Sequence, residues 1–112
     1  MATEDDVRSL ALALPEVTEK PSYGTPGFRV KDKLFARIHH DGGVLVLWTA
    51  GLLDKESFID SEPDVFFTTS HYDGYPLVLV RLDRVDEARL RDLLEMAWRV
   101  RAPARLRAAF GE

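Results

Sequence analysis

Three histidines, five rings and a few cations hold the residue types in this chain that could do chemistry. His39 and His40 are adjacent, and His71 stands within Ser70-His71-Tyr72-Asp73. Imidazole beside a carboxylate suits acid–base work, because histidine changes charge near neutral pH and an aspartate can orient it. Neighbouring strand residues point to opposite faces, so His39 and His40 make poor joint metal ligands. A metal site would need His71 together with Asp41 or Asp73. The plainer reading has solvated imidazoles flanking turns, with Asp73-Gly74 forming a hairpin tip and Tyr72 and Tyr75 pairing across it. On this pattern no residue is assigned as catalytic and none as a metal ligand.

The denser constellation joins Tyr23, Phe28, Phe35, Tyr72 and Tyr75 to Lys20, Lys33, Arg37 and Arg81. Rings stack on bases while cations contact phosphates in single-strand binders. The same residue types line pockets in which an arginine fixes an anionic group. A third reading has the rings covering an open sheet face, with the cations lying over them.

Several chemistries lack their signatures. Neither G-x-G-x-x-G nor G-x-x-x-x-G-K-[ST] fits any window, so no nucleotide cofactor is expected. The nucleophile elbow G-x-S-x-G and the zinc-hydrolase spacing H-E-x-x-H are also missing. Cysteine is absent, which removes disulfides, thiolate metal sites and thiol nucleophiles. With 46% hydrophobic and 30% charged residues the chain reads as a folded globular domain rather than a disordered one. No apolar run approaches a membrane span and the first residues do not resemble a secretory leader, so cytoplasmic residence is expected. The net charge of −4 disfavours general nucleic-acid binding, which draws on Lys and Arg. The charge is uneven: residues 1–80 hold 7 Lys/Arg against 13 Asp/Glu, and residues 81–112 hold 8 Arg against 6 acids.

The elements that must position these groups follow from spacing. Thr3 and Asp6 form a capping box, and Val7, Leu10, Ala11 and Leu14 give the apolar face of a first helix, stopped by Pro15. Residues 16–27, broken by Pro21, Gly24, Pro26 and Gly27, read as an ordered loop. Strands are expected at 28–30, 34–39 and 44–48, turning at Lys31-Asp32 and at Asp41-Gly42-Gly43. In the middle strand Leu34, Ala36 and Ile38 read as core, with Phe35, Arg37 and His39 on the opposite, half-exposed face. Residues 50–60 form a second helix burying Leu52, Leu53 and Ile59. Strands at 65–69 and 76–82 then pair through a type I′ turn at Asp73-Gly74. Asp86 caps a third helix carrying Leu90, Leu93, Leu94 and Ala97, and Pro103 opens a short last one. The fold class is α+β: one domain over residues 1–112, with an antiparallel sheet of about five strands built from hairpins and packed with helices.

At this point the residues resemble the MmcQ/YjbR-like family. The resemblance is carried by Leu14-Pro15, Val17-Thr18-Glu19, the run from Pro21 to Val30 (PSYGTPGFRV) and Lys33-Leu34-Phe35-Ala36-Arg37. His71-Tyr72-Asp73-Gly74-Tyr75-Pro76 with Val78 to Leu82, and then Trp98 and Ala102-Pro103, complete it. It implies a CyaY-like α+β fold and DNA binding through a "double wing" of β-hairpins, without catalytic residues. Candidate wing tips are Lys31-Asp32, Asp41 to Gly43 and Asp73-Gly74. Two positions depart from the family pattern: Tyr23 stands where Trp is frequent, and Asp32 where Gly is.

The leading expectation is therefore a non-enzymatic DNA-binding domain in which Lys31, Lys33, Arg37 and Arg81 contact phosphates. The alternative is a pocket for a small anionic ligand or a protein segment, lined by Tyr23, Thr25, Phe35, Arg37, His71 and Tyr75.

Overall fold

The computed structural model describes residues 1–111. Helix α1 (Glu4–Leu12) begins with the expected box: the Thr3 hydroxyl accepts from the Asp6 amide, and the Asp6 carboxylate accepts from the Thr3 amide. Strands β1 (Val17–Ser22), β2 (Thr25–Val30), β3 (Lys33–Ile38) and β4 (Val44–Trp48) follow. Then come α2 (Leu52–Ser61), the two-residue β5 (Phe66–Phe67), β6 (Leu77–Arg81), α3 (Glu87–Arg101) and α4 (Ala104–Phe110). The six strands form one antiparallel sheet in the order β1-β2-β3-β4-β6-β5. Among the described residues no helix is long and apolar enough to cross a membrane.

Two corrections concern the hairpins. The segment expected as a loop supplies β1 and half of β2, closed by Tyr23 (φ 55°) and Gly24 (φ 81°) in left-handed conformations. Pro21 is tolerated there because β1 is an edge strand. Asp73-Gly74 is not the tip of a tight hairpin. Asp73 (φ −60°, ψ 134°) and Gly74 (φ 81°) make a type II turn, closed by the Tyr75 amide donating to the Tyr72 carbonyl. A short 3₁₀ turn at Ser70–Tyr72 precedes it, so a long loop and not a hairpin joins β5 to β6. Tyr72 and Tyr75 consequently part company, the first buried and the second exposed.

Helices cover one face of the sheet. Val7 and Ala11 of α1 with Leu90, Leu94, Ala97 and Trp98 of α3 meet Phe28, Val30, Leu45, Leu47 and Val80 in the main core. Each fully buried large side chain there contributes roughly 1.5–3 kcal/mol. Asp86 caps α3 by accepting from the Arg89 amide, and the Trp98 indole N–H donates to the Pro15 carbonyl, tying α3 to the end of α1. Helix α2 departs from expectation. Leu52 and Leu53 are exposed, while Phe58 and Ile59 pack on the core and Lys55 is the buried residue.

The other face of the sheet has no helical cover. The loop after β5 folds across part of it, placing Tyr72 against Val46 and Leu79 in a small second cluster. What remains uncovered is the site.

Candidate functional site

A register irregularity in β3 creates the site. Phe28 pairs with Ala36 but Arg29 pairs with Leu34, so Phe35 is an extra residue on its strand. Phe35 and Ala36 both enter the helical core, whereas Leu34 and Arg37 both look out of the open face. Strict alternation had placed Leu34 in the core and Phe35 outside. The bulge reverses both.

Arg37, Leu34, Tyr23, Tyr72, Tyr75 and Trp48 are among the residues around a concavity of about 480 Å³, which Val46, His71, Pro76 and Leu77 complete. Of the six residues proposed for a pocket from sequence, Tyr23, Arg37, His71 and Tyr75 lie on its wall. Thr25 stands just behind, its hydroxyl accepting from Arg37 Nη1 at 3.4 Å. Phe35 is fully buried on the other side of the sheet. The pocket proposed from sequence left out Leu34, Val46, Trp48 and Leu77, and also Tyr72 and Pro76 of the loop before β6. Only the bulge and the β4–β6 register, in which Trp48 pairs with Leu77, bring the first four together.

Arg37 is 7% exposed. Its Nη2 donates to the Tyr72 hydroxyl, its Nη1 reaches the Thr25 hydroxyl and the Ile38 carbonyl, and its Cζ lies 5.1 Å from the centre of the Tyr23 ring. Among the described residues no carboxylate comes within ion-pair distance of it. The Nε donor has no protein acceptor, and no fully buried side-chain nitrogen or oxygen lacks a partner, so this N–H opens onto accessible space. Burying a guanidinium without a counter-charge costs several kcal/mol.

The walls are held by polar ties outside the cavity. Lys55 of α2 donates to the Tyr72 carbonyl at 2.7 Å and the Tyr75 carbonyl at 3.0 Å, pinning the loop from below. Burial pushes the Lys55 ammonium below its ordinary pKa, and the nearby Asp73 charge opposes that shift. The Thr49 hydroxyl donates to the Pro76 carbonyl. Behind Trp48, Arg101 lays its guanidinium 4.4 Å from the indole and donates to the Leu34 carbonyl. Tyr23 is 86% exposed in a left-handed backbone, a conformation costing a non-glycine residue roughly 1–2 kcal/mol. Such strain recurs where a side chain must be held at a binding site.

The other cations lie elsewhere. Arg81 shares the open face with Arg37, since Arg37 pairs across to Val46, Val46 to Leu79, and Arg81 lies two residues on. It stacks 4.1 Å from the Phe67 ring and reaches the Pro63 carbonyl, outside the concavity. Lys31 pairs with Glu16, and Lys33 is exposed at the start of β3. The turns at Lys31-Asp32, Asp41 to Gly43 and Asp73-Gly74 carry exposed Asp32, Asp41 and Asp73.

The histidines also depart from expectation. β3 ends at Ile38, so His39 and His40 are not constrained to opposite faces, and their rings lie 4.1 Å apart. Asp41 is 3.5 Å from His39 Nδ1 and 3.3 Å from His40 Nε2, and potential ligand atoms of all three residues lie within 4.8 Å of one another. The Asp41 amide donates to His39 Nδ1, which occupies that lone pair. Burial, then the His40 charge, push the His39 imidazole below its ordinary value, with Asp41 acting against them.

The family model YjbR matches residues 12–100. Two curated relatives, uncharacterized proteins Rv2570 of Mycobacterium tuberculosis (strain ATCC 25618 / H37Rv) and Mb2600 of Mycobacterium bovis, are each 48% identical over 56 residues, half of this chain and 43% of their own length. The chain thus spans less than half the length of the curated relatives it matches. Among solved structures, Deinococcus radiodurans protein DR2400, a DUF419 domain, superposes with a TM-score of 0.73 at 26% identity, over 88% of this chain and 77% of that one. Every element that builds the Arg37 concavity falls inside the matched range, and the chain belongs to the YjbR family.

Proposed function

We propose that this protein is a binding domain for a small anionic ligand, held on the open sheet face with Arg37 as its charge anchor. The observation that carries this reading is the buried guanidinium on the cavity wall, with no carboxylate of its own and an Nε donor that has no protein acceptor. An anion entering there supplies the missing counter-charge, in a low-dielectric setting where charged hydrogen bonds are strong. DNA binding through hairpin wings has less behind it: the tips are acidic, Lys31 is tied to Glu16, and Arg37 is recessed.

Isothermal titration of the full chain with benzoate, phenyl phosphate and adenosine monophosphate tests the reading, alongside a labelled DNA duplex at low salt. At least one small anion should saturate a single site in wild type and fail to bind folded Arg37→Met. Equal binding by that variant, or no binding by any small anion, would overturn the pocket. Duplex binding that weakens steeply with salt and ignores Arg37→Met would return the wings to first place.

A further inference from the structure

We infer that the ligand is a planar monocarboxylate with an aromatic body, a class that the cavity separates from phosphate dianions; this rests on the anion-pocket reading above. The charge of the wall comes first. Among the residues lining the cavity, Arg37 is the one fixed cation; there is no Lys, Asp or Glu, and Arg101 stands behind the Trp48 indole with its Nε committed to Leu34. A single positive charge balances a single negative one. A dianion leaves a surplus charge with no second fixed cation on the wall to balance it.

The donors point the same way. Arg37 Nη1 is engaged by Thr25 and Ile38, and Nη2 gives one hydrogen to Tyr72. Nε–H and the second Nη2 hydrogen remain. The Tyr72 hydroxyl accepts from Arg37 and has no acceptor for its own proton among the described residues. Two or three donors at this edge match the two oxygens of a carboxylate. The further donors on the wall, from Tyr23, Trp48, His71 and Tyr75, bring no fixed charge to balance a second negative one.

The rest of the wall selects the body of the ligand. Leu34, Val46, Pro76 and Leu77 offer carbon, and Trp48, Tyr23 and Tyr75 offer ring faces. Rings stack on flat apolar partners in offset or edge-on arrangements. The volume falls within the 300–1,000 Å³ typical of small-molecule sites.

The test holds the ring constant and changes the head group. Titrate wild type and His71→Gln at pH 8 with 2-naphthoate, 2-naphthyl phosphate, 2-naphthalenemethanol and acetate. The His71 variant leaves Arg37 as the sole cation that can face the ligand. The expected result is 2-naphthoate binding at least tenfold more tightly than 2-naphthyl phosphate in both proteins, with the neutral alcohol and acetate each weaker than naphthoate by tenfold or more. Naphthyl phosphate binding equally or better would overturn the monocarboxylate assignment and leave the anion pocket standing. Acetate matching naphthoate would overturn the aromatic body. Binding by none of the four, joined to silence from benzoate, phenyl phosphate and adenosine monophosphate, would end both readings.

Discussion

The Arg37 guanidinium donates to the hydroxyl of Tyr72, 35 residues further along the chain, and both line the same cavity. One comes from a bulged central strand, the other from a loop with no regular partner strand. Their meeting ties the open sheet face to its partial cover.

Removing that charge separates binding from stability. Arg37→Met relieves a buried, uncompensated cation at the cost of its hydrogen bonds to the Tyr72 hydroxyl, the Thr25 hydroxyl and the Ile38 carbonyl, of which the last two are long. Unfolding free energy in urea should stay within about 1 kcal/mol of wild type or rise, as happens when a binding residue is kept at a cost to stability. A loss above about 2 kcal/mol would make Arg37 a structural pin instead.

Lys55 has the opposite character. Lys55→Met leaves the stem in place but strips the donor from the Tyr72 and Tyr75 carbonyls. The variant should lose about 1–3 kcal/mol, because the partly buried Tyr75 carbonyl is left without its donor while the Tyr72 carbonyl keeps only the Tyr75 amide. Amide exchange should accelerate in residues 68–76 ahead of the rest of the chain. Uniform acceleration across the sheet would show that Lys55 does not act locally.

Gly27 sits beneath the β1–β2 hairpin, where an added Cβ would stand 2.7 Å from the Ser22 hydroxyl oxygen and 3.1 Å from Leu34 Cδ1. The Ser22 hydroxyl accepts from Arg29, and Leu34 is part of the cavity wall. Gly27→Ala should therefore cost about 1–3 kcal/mol through overpacking and weaken ligand binding as Leu34 shifts. Thermal melts and titration with 2-naphthoate read the two effects; an unchanged melt would show that the strand yields freely.

Stability should respond to pH through His39. Its folded pKa lies below the ordinary 6.5 because burial disfavours the imidazolium. As pH falls below about 6.5 the unfolded chain takes up this proton first, so stability drops through that window until the folded value is passed. Glu16, Glu19 and Glu62, held below 4.5 by Lys31, Arg8 and Arg89, lose their contributions only at lower pH. His39→Gln should flatten the upper part of the curve and leave the acid limb. Identical curves for both proteins would exclude His39 as the source.

Much of the frame was legible in the chain. The Thr3–Asp6 box, the Asp86 cap, the Leu90–Leu94 spacing and the Gly42-Gly43 turn are local signals, each decided within a few residues, and each formed where expected. β1 was hidden by Pro21 and by Gly24 and Pro26 just beyond it, which mark a breaker by composition but are tolerated on an edge strand and at a turn. Lys55 was hidden because a charged residue becomes buried only where acceptors converge, and its acceptors lie 17 and 20 residues away.

By itself the sequence determined the helices and their caps, the antiparallel plan and the family likeness, since periodicity and capping act over one or two turns of chain. Tertiary structure alone decided which side of β3 faces the cavity. One extra residue between paired strands inverts the sides on which Leu34 and Phe35 emerge, and that residue is defined only by the partner strand. The meeting of Arg37, Trp48 and Tyr72 depends on the same cross-strand register and on a loop returning over the sheet, which no local signal encodes.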